Sequence, residues 1–244
     1  MKPVRSLIAG LALSAVASAS WASSDFLDKD SLNALTGELG AVLSYKGVTP
    51  AEPLGLIGID IGVEVTGTQL SKMNQWAGAV GGSDVAFLPL PKVHVHKGLP
   101  MGIDIGAVYS KVPTTDMAYA GGELRYSFVS GNVAIPAVAV RGAYTTILGI
   151  KDLSFTTKSV EVLVSKGFLM LTPYAGVGQV WANSSVDAGL IDPALSGITS
   201  LEGSATLSKW FVGLNLNLGL VNFVYETDTT GESLSHTIKM GFRF

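Results

Sequence analysis

The sequence predicts an all-β protein: an antiparallel up-and-down transmembrane β-barrel of about ten strands, with a short N-terminal helix. Three observations predict it. Apolar and polar residues alternate, with the period of two of a β-strand, in segment after segment from Leu54 to Phe244. The connections between those segments alternate between long and short. The chain is 48% hydrophobic with a mean hydropathy of +0.42. Yet beyond its start it holds no apolar run near the ~18–20 residues of a membrane helix. Apolar composition delivered in short alternating pieces is the pattern of a membrane barrel.

The chain opens on a secretory signal, residues 1–22. Lys2 and Arg5 charge its start, Leu7 to Val16 is an apolar run too short to span a bilayer, and Ser20-Trp21-Ala22 ends it as a small-x-small cleavage site. Ala17-Ser18-Ala19 is a second site; the first places the mature start near Ser23. There is no cysteine, so cohesion does not come from disulfides. Barrel closure supplies it instead, because every backbone group pairs with a neighbouring strand. The net charge is −3, and more negative once Lys2 and Arg5 leave. Nothing in that balance points to nucleic acid.

Residues 23–53 form an N-terminal segment of different character. Leu32, Leu35, Leu39 and Val42 recur at helical spacing, Asp28 or Asp30 can cap the start, and Gly47, Pro50 and Pro53 stop it. Gly37 and Gly40 weaken the helix. Three readings stand: a periplasmic helix or leader, a helix tucked inside or across the periplasmic mouth of the barrel as a plug, and an extra strand over Glu38–Lys46.

Leu54–Gly67 sets Ile57, Ile59, Ile61, Val63 and Val65 against Gly58, Asp60, Gly62, Glu64 and Thr66. The loop Thr68–Ser83 follows. In Asp84–His96, Val93 and Val95 oppose Lys92, His94 and His96, while Pro89 and Pro91 remove ladder donors, so this strand should be bulged or poorly paired there. Met101–Val112, Met117–Ser130, Ala134–Thr146 and Phe155–Lys166 alternate in the same way. Phe168–Asn183 has less clean faces, and Ser184–Gly203 reads as the longest loop. Ser204–Leu218 sets Trp210, Val212, Leu214 and Leu216 against Lys209, Gly213, Asn215 and Asn217; Leu220–Asp228 precedes the last strand.

That strand, Leu234–Phe244, puts Ile238, Met240, Phe242 and Phe244 on one face and Lys239 and Arg243 on the other. It resembles the C-terminal strand of Gram-negative outer-membrane β-barrels, in which a final Phe after alternating hydrophobics is the signal read by the assembly machinery. Long outer loops and short periplasmic turns extend the resemblance to Leu54–Phe244. No motif narrows it beyond a porin-like barrel. It implies residence in the cell outer membrane, with both chain ends periplasmic. Its partners are then outer-membrane lipid, the barrel assembly machinery and, if the lumen is open, small solutes.

The polar face carries Asp60, Glu64, Asp104, Glu123, Arg125, Arg141, Glu161, Lys209, Glu226, Lys239 and Arg243 as lumen or pore-lining candidates. Both signs are present in similar numbers. That suits either an interior filled with paired side chains or a weakly selective polar pore. His94 and His96 share a face but lack a metal-ligand signature around them, and read as lumen or rim residues. Ser235 and His236 are adjacent and so point to opposite faces, which rules out a nucleophile–base pair. No nucleotide, zinc-protease or calcium motif occurs, and no cofactor is called for. Trp76, Trp181, Trp210, Tyr109, Tyr144, Tyr174 and Tyr225 suit aromatic girdles. The leading functional reading is a narrow channel or transport barrel for small solutes. The alternative is a closed structural or surface-interaction barrel acting through its loops; a lipid-modifying enzyme is a distant third.

Overall fold

A computed structural model describes residues 29–69, 87–111, 117–150, 153–187 and 200–244. The signal segment, Asp28, Trp76 and most of the Thr68–Ser83 loop lie outside them. Ten strands form a closed antiparallel barrel: β1 Ile59–Gln69, β2 Phe87–Gly98, β3 Ile103–Lys111, β4 Ala118–Val129, β5 Ala137–Leu148, β6 Leu153–Ser165, β7 Leu171–Asp187, β8 Ser200–Leu218, β9 Val221–Thr230 and β10 Ser233–Arg243. Each pairs with its sequence neighbours, and β1 closes on β10 in the register Val63↔Met240, Val65↔Ile238. Phe244 adds to the closure through its backbone. Its carbonyl accepts from Ile59 N–H at 2.7 Å and its own N–H donates to Ile59 O at 3.0 Å. Among the described residues one α-helix, α1 (Lys29–Leu43), precedes the barrel. It is not long and apolar enough to cross a membrane, and neither is any other helix among the described residues.

Alternation sorts the faces. Val63, Leu124, Val162, Val212, Tyr225 and Met240 point outward, each about half exposed, while Asp60, Arg125, Glu161, Lys209 and Lys239 point inward and are buried. A surface this apolar needs an apolar solvent, and a charge-lined interior needs internal partners. Trp181, Trp210, Tyr109, Tyr144 and Tyr225 lie outside on the apolar wall. Tyr174 does not belong to a girdle: it points inward and donates to Glu226 Oε2 at 2.7 Å.

Two expected boundaries differ, and the irregularity expected at the β2 prolines falls on one edge. β1 begins at Ile59, because Gly55 and Gly58 turn the chain at the barrel rim (Gly58 N–H to Gly55 O, 3.1 Å). β7 and β8 run on to Asp187 and from Ser200, so much of the expected Ser184–Gly203 loop is a hairpin extending beyond its neighbours. β2 is not bulged at its prolines. It pairs with β1 along its length, from Gln69↔Phe87 to Ile59↔Lys97. Among the described residues its β3 side is unpaired at Pro91, since that ladder covers Val93–Gly98.

Candidate functional site: the occupied lumen

The site is the barrel interior, and the chain from Leu32 to Ala51 occupies it. The helix lies at the end of the barrel where the β7–β8 hairpin projects. Asn33 Oδ1 accepts from Ser204 N–H at 2.9 Å, and Thr36 Oγ1 meets Ser184 Oγ at 2.7 Å. Leu32, Leu39, Val42 and Leu43 are buried. Each such side chain is worth about 1.5–3 kcal/mol when removed from water. Gly40 is small for a reason: a Cβ there would stand 2.6 Å from the Ala182 Cβ on β7. A residue that costs a helix about 1 kcal/mol in isolation here lets the helix approach the wall. Ser44 N–H donates to Gly40 O at 2.8 Å and Lys46 Nζ to Ala41 O at 3.1 Å, which satisfies carbonyls at the helix C-terminus.

From Leu43 the chain descends the lumen as an extended strap. Thr145 Oγ1 donates to Leu43 O at 2.8 Å; Lys209 Nζ donates to Tyr45 O at 2.7 Å; the Tyr45 hydroxyl meets His94 Nε2 at 2.9 Å. Lys46 pairs with Asp228 at 2.7 Å, both buried. Arg125 donates to Thr49 Oγ1 at 2.5 Å and Pro50 O at 2.6 Å. Ser127 Oγ donates to Ala51 O at 2.6 Å, and Leu54 N–H to Asp104 Oδ1 at 3.0 Å. The strap's carbonyls, which could find no water in a packed lumen, are thus met by wall side chains. Val48, buried and β-branched, sits in the left-handed region at φ 49°, a conformation its surroundings hold.

Helix and strap together span the lumen from the projecting-hairpin end to the short-turn end. The helix therefore lies inside the barrel, at the projecting-hairpin end rather than the short-turn end. Helical spacing reveals an apolar stripe; it carries no information on which end of a barrel the stripe reaches.

Ten of the eleven lumen candidates are buried, and all eleven project inward. They form a pairing network. Asp60 meets Lys239 at 2.8 Å and Arg243 at 2.6 Å; Asp104 meets Arg125 at 2.8 Å; Glu161 meets Lys209 at 2.7 Å and Arg141. Glu123 lies 3.1 Å from His96 and 3.6 Å from Arg141, and Glu64 lies 2.6 Å from Lys92 and 3.0 Å from His94. Among the described residues, Glu226 pairs with no cation and is met by Tyr174. Most of these are wall-to-wall pairs, across one or a few strands, that do not involve the strap.

The sequence reading missed Lys92, Asp228, Tyr45 and Lys46 as network members. Lys92 and Asp228 share inward faces with His94 and Glu226, so parity alone would have found them. Lys46 lies outside any alternating segment and carries no such signal. His94 and His96 are lumen residues, their rings 4.1 Å apart; His94 faces Glu64 on the adjacent β1, and His96 faces Glu123 on β4, two strands away. No group of three or more residues able to hold a metal occurs among the described residues. Ser235 is buried and bonded to Thr68 (3.0 Å), whereas His236 lies outside against Tyr225 (2.9 Å).

The fold and the lumen define a closed ten-stranded β-barrel of the outer-membrane type, filled by its own N-terminal segment. Solved structures similar to it include the KdgM porin, with 8% identity and a TM-score of 0.37 over 77% of this chain and 99% of that one. Ail, the attachment invasion locus protein of Yersinia pestis, matches at 10% identity and a TM-score of 0.30, over 77% and 97%. Neisserial surface protein A matches at 10% and 0.30, over 76% and 94%. No protein-family model and no curated protein sequence matches the chain.

Proposed function

We propose that this protein is an exported outer-membrane barrel that is shut in its resting state and works through its loop-bearing end rather than as an open pore. The observation that carries the reading is the strap. The segment from Leu32 to Ala51 runs the length of the lumen, and wall side chains from eight strands, β2 to β9, hold or meet it and the residues that follow it. To open, the barrel would have to unbury Lys46 and Asp228 and expose the apolar stripe of α1. Each buried apolar side chain alone disfavours that by about tenfold or more. The alternation of connection lengths supports an orientation with the β7–β8 hairpin outside the cell and the chain end at Phe244 in the periplasm. In a planar lipid bilayer the refolded full-length protein should be electrically silent. Steady openings of a defined size would overturn this reading.

A second reading, a gated narrow channel for small solutes, is favoured by one specific feature. The wall charges pair mostly with each other, so a lumen without its strap would stay charge-balanced and wettable. It would conduct with weak ion selectivity.

A further inference from the structure

The structure assigns a lipid-binding groove to the outer wall where β2 leaves β3. Strand backbones alternate their hydrogen-bonding direction. Leu99 N–H donates to Ile103 O, on the β3 side, and Gly98 N–H to Gly58 O, on the β1 side. Odd-numbered residues of β2 therefore turn their backbone groups toward β3. Pro89 and Pro91 are both odd, so the two donors that proline removes belong to the β3-facing edge. The β2–β3 ladder stops at Val93↔Tyr109. At the next position among the described residues, Ser110 Oγ donates to Pro91 O at 2.5 Å in place of ladder pairing.

In hydrocarbon an unpaired N–H costs several kcal/mol. Proline at these positions removes two of the donors that an open seam would otherwise leave unpaired. The opening lies against a depression of about 670 Å³, within the usual range of small-molecule sites. Its floor is an outward row across four strands, Tyr109, Val93, Val63 and Met240, in direct register. Pro91 lines it next, and Lys111, exposed, stands at its loop-end rim on β3. An apolar trough in the lipid-facing wall with exposed Lys111 at its outer end fits an acyl chain whose anionic headgroup lies beside that ammonium. The occupant we infer is a bilayer lipid carrying a phosphate head without a balancing cation.

The test is native mass spectrometry of the full-length barrel in detergent, with equal amounts of palmitoyl-oleoyl phosphatidic acid and the matching phosphatidylcholine. Stoichiometric retention of the phosphatidic acid is expected. Lys111→Gln should lower its preference over phosphatidylcholine about fivefold, the worth of one basic residue beside an anionic headgroup. Val93→Trp fills the floor and should abolish retention of both lipids. Val212→Trp, outward on the far wall, should leave both unchanged. Equal retention of the two lipids by the native protein overturns the proposal. So does undiminished retention by Val93→Trp, or an equal loss in Val212→Trp, which would mark a general lipid coat. Lys111→Gln alters no ladder bond and decides the matter if the tryptophan variant does not fold.

Discussion

The Arg141 guanidinium occupies the space that any side chain at Gly47 would need; a Cβ placed there collides with its Nη1 and Cζ. Arg141 is held from the other side by Glu161 and Glu123. The wall charge cluster and the strap are therefore fitted to each other at this height. Gly47→Ala should cost about 1–3 kcal/mol, the usual price of overpacking. The check is the temperature at which the folded, faster-migrating gel form is lost. Destabilisation should accompany faster proteolysis of the strap, and an unchanged transition would show that Arg141 moves freely aside.

Asp228 and Lys46 test the strap from its charged side. Asp228→Asn strands a buried ammonium, and breaking one member of such a pair typically costs about 3–5 kcal/mol. The Lys46→Met, Asp228→Leu double variant removes both charges and should recover most of that loss. Denaturant titration of the three proteins measures the difference. A single variant as stable as the native chain would mean that water reaches Lys46.

Removal of the strap separates the two functional readings. A chain beginning near Pro53 keeps the rim contacts of residues 54–58 and every wall-to-wall ion pair. It should still close as a barrel and should open a small conductance in planar bilayers, where the full chain is silent. A truncated barrel that folds but stays silent would leave the closed, loop-presenting role alone in the field.

Outward sites answer to lipid. Val63→Arg and Val212→Arg, at half-exposed positions of the apolar wall, should each lower stability by about 2–4 kcal/mol in vesicles if they stand near mid-bilayer. Thr206→Arg, exposed on the extended part of β8, should cost less than 1 kcal/mol. Urea unfolding in vesicles compares them, and equal costs would remove the assignment of the lipid belt.

The last residue has two roles that one substitution can split. Phe244→Lys keeps the backbone bonds to Ile59 and changes only the terminal aromatic. If Ile238, Met240, Phe242 and Phe244 act together as the assembly signal, insertion into the outer membrane should fall sharply while refolding in detergent proceeds normally. Equal insertion of the two proteins would leave Phe244 as a closure residue alone.

Strand number, pairing order and the inward or outward sense of most wall side chains, Tyr174 excepted, were legible in the sequence by itself. A period of two leaves one free choice per strand, and the charges make that choice. The same parity places all eleven lumen candidates inside. What only the tertiary structure decided depends on contacts between residues far apart in the chain. The helix reaches the projecting-hairpin end because Ala182 and Gly203 on the wall leave room there, which no periodicity in residues 29–43 records. The wall charges face partners one or more strands away, and Lys46 finds Asp228 across 182 residues. Pro89 and Pro91 announced a broken ladder, but which of its two edges broke depended on the register of β2 against β1. That register is set by both strands together, and by neither alone.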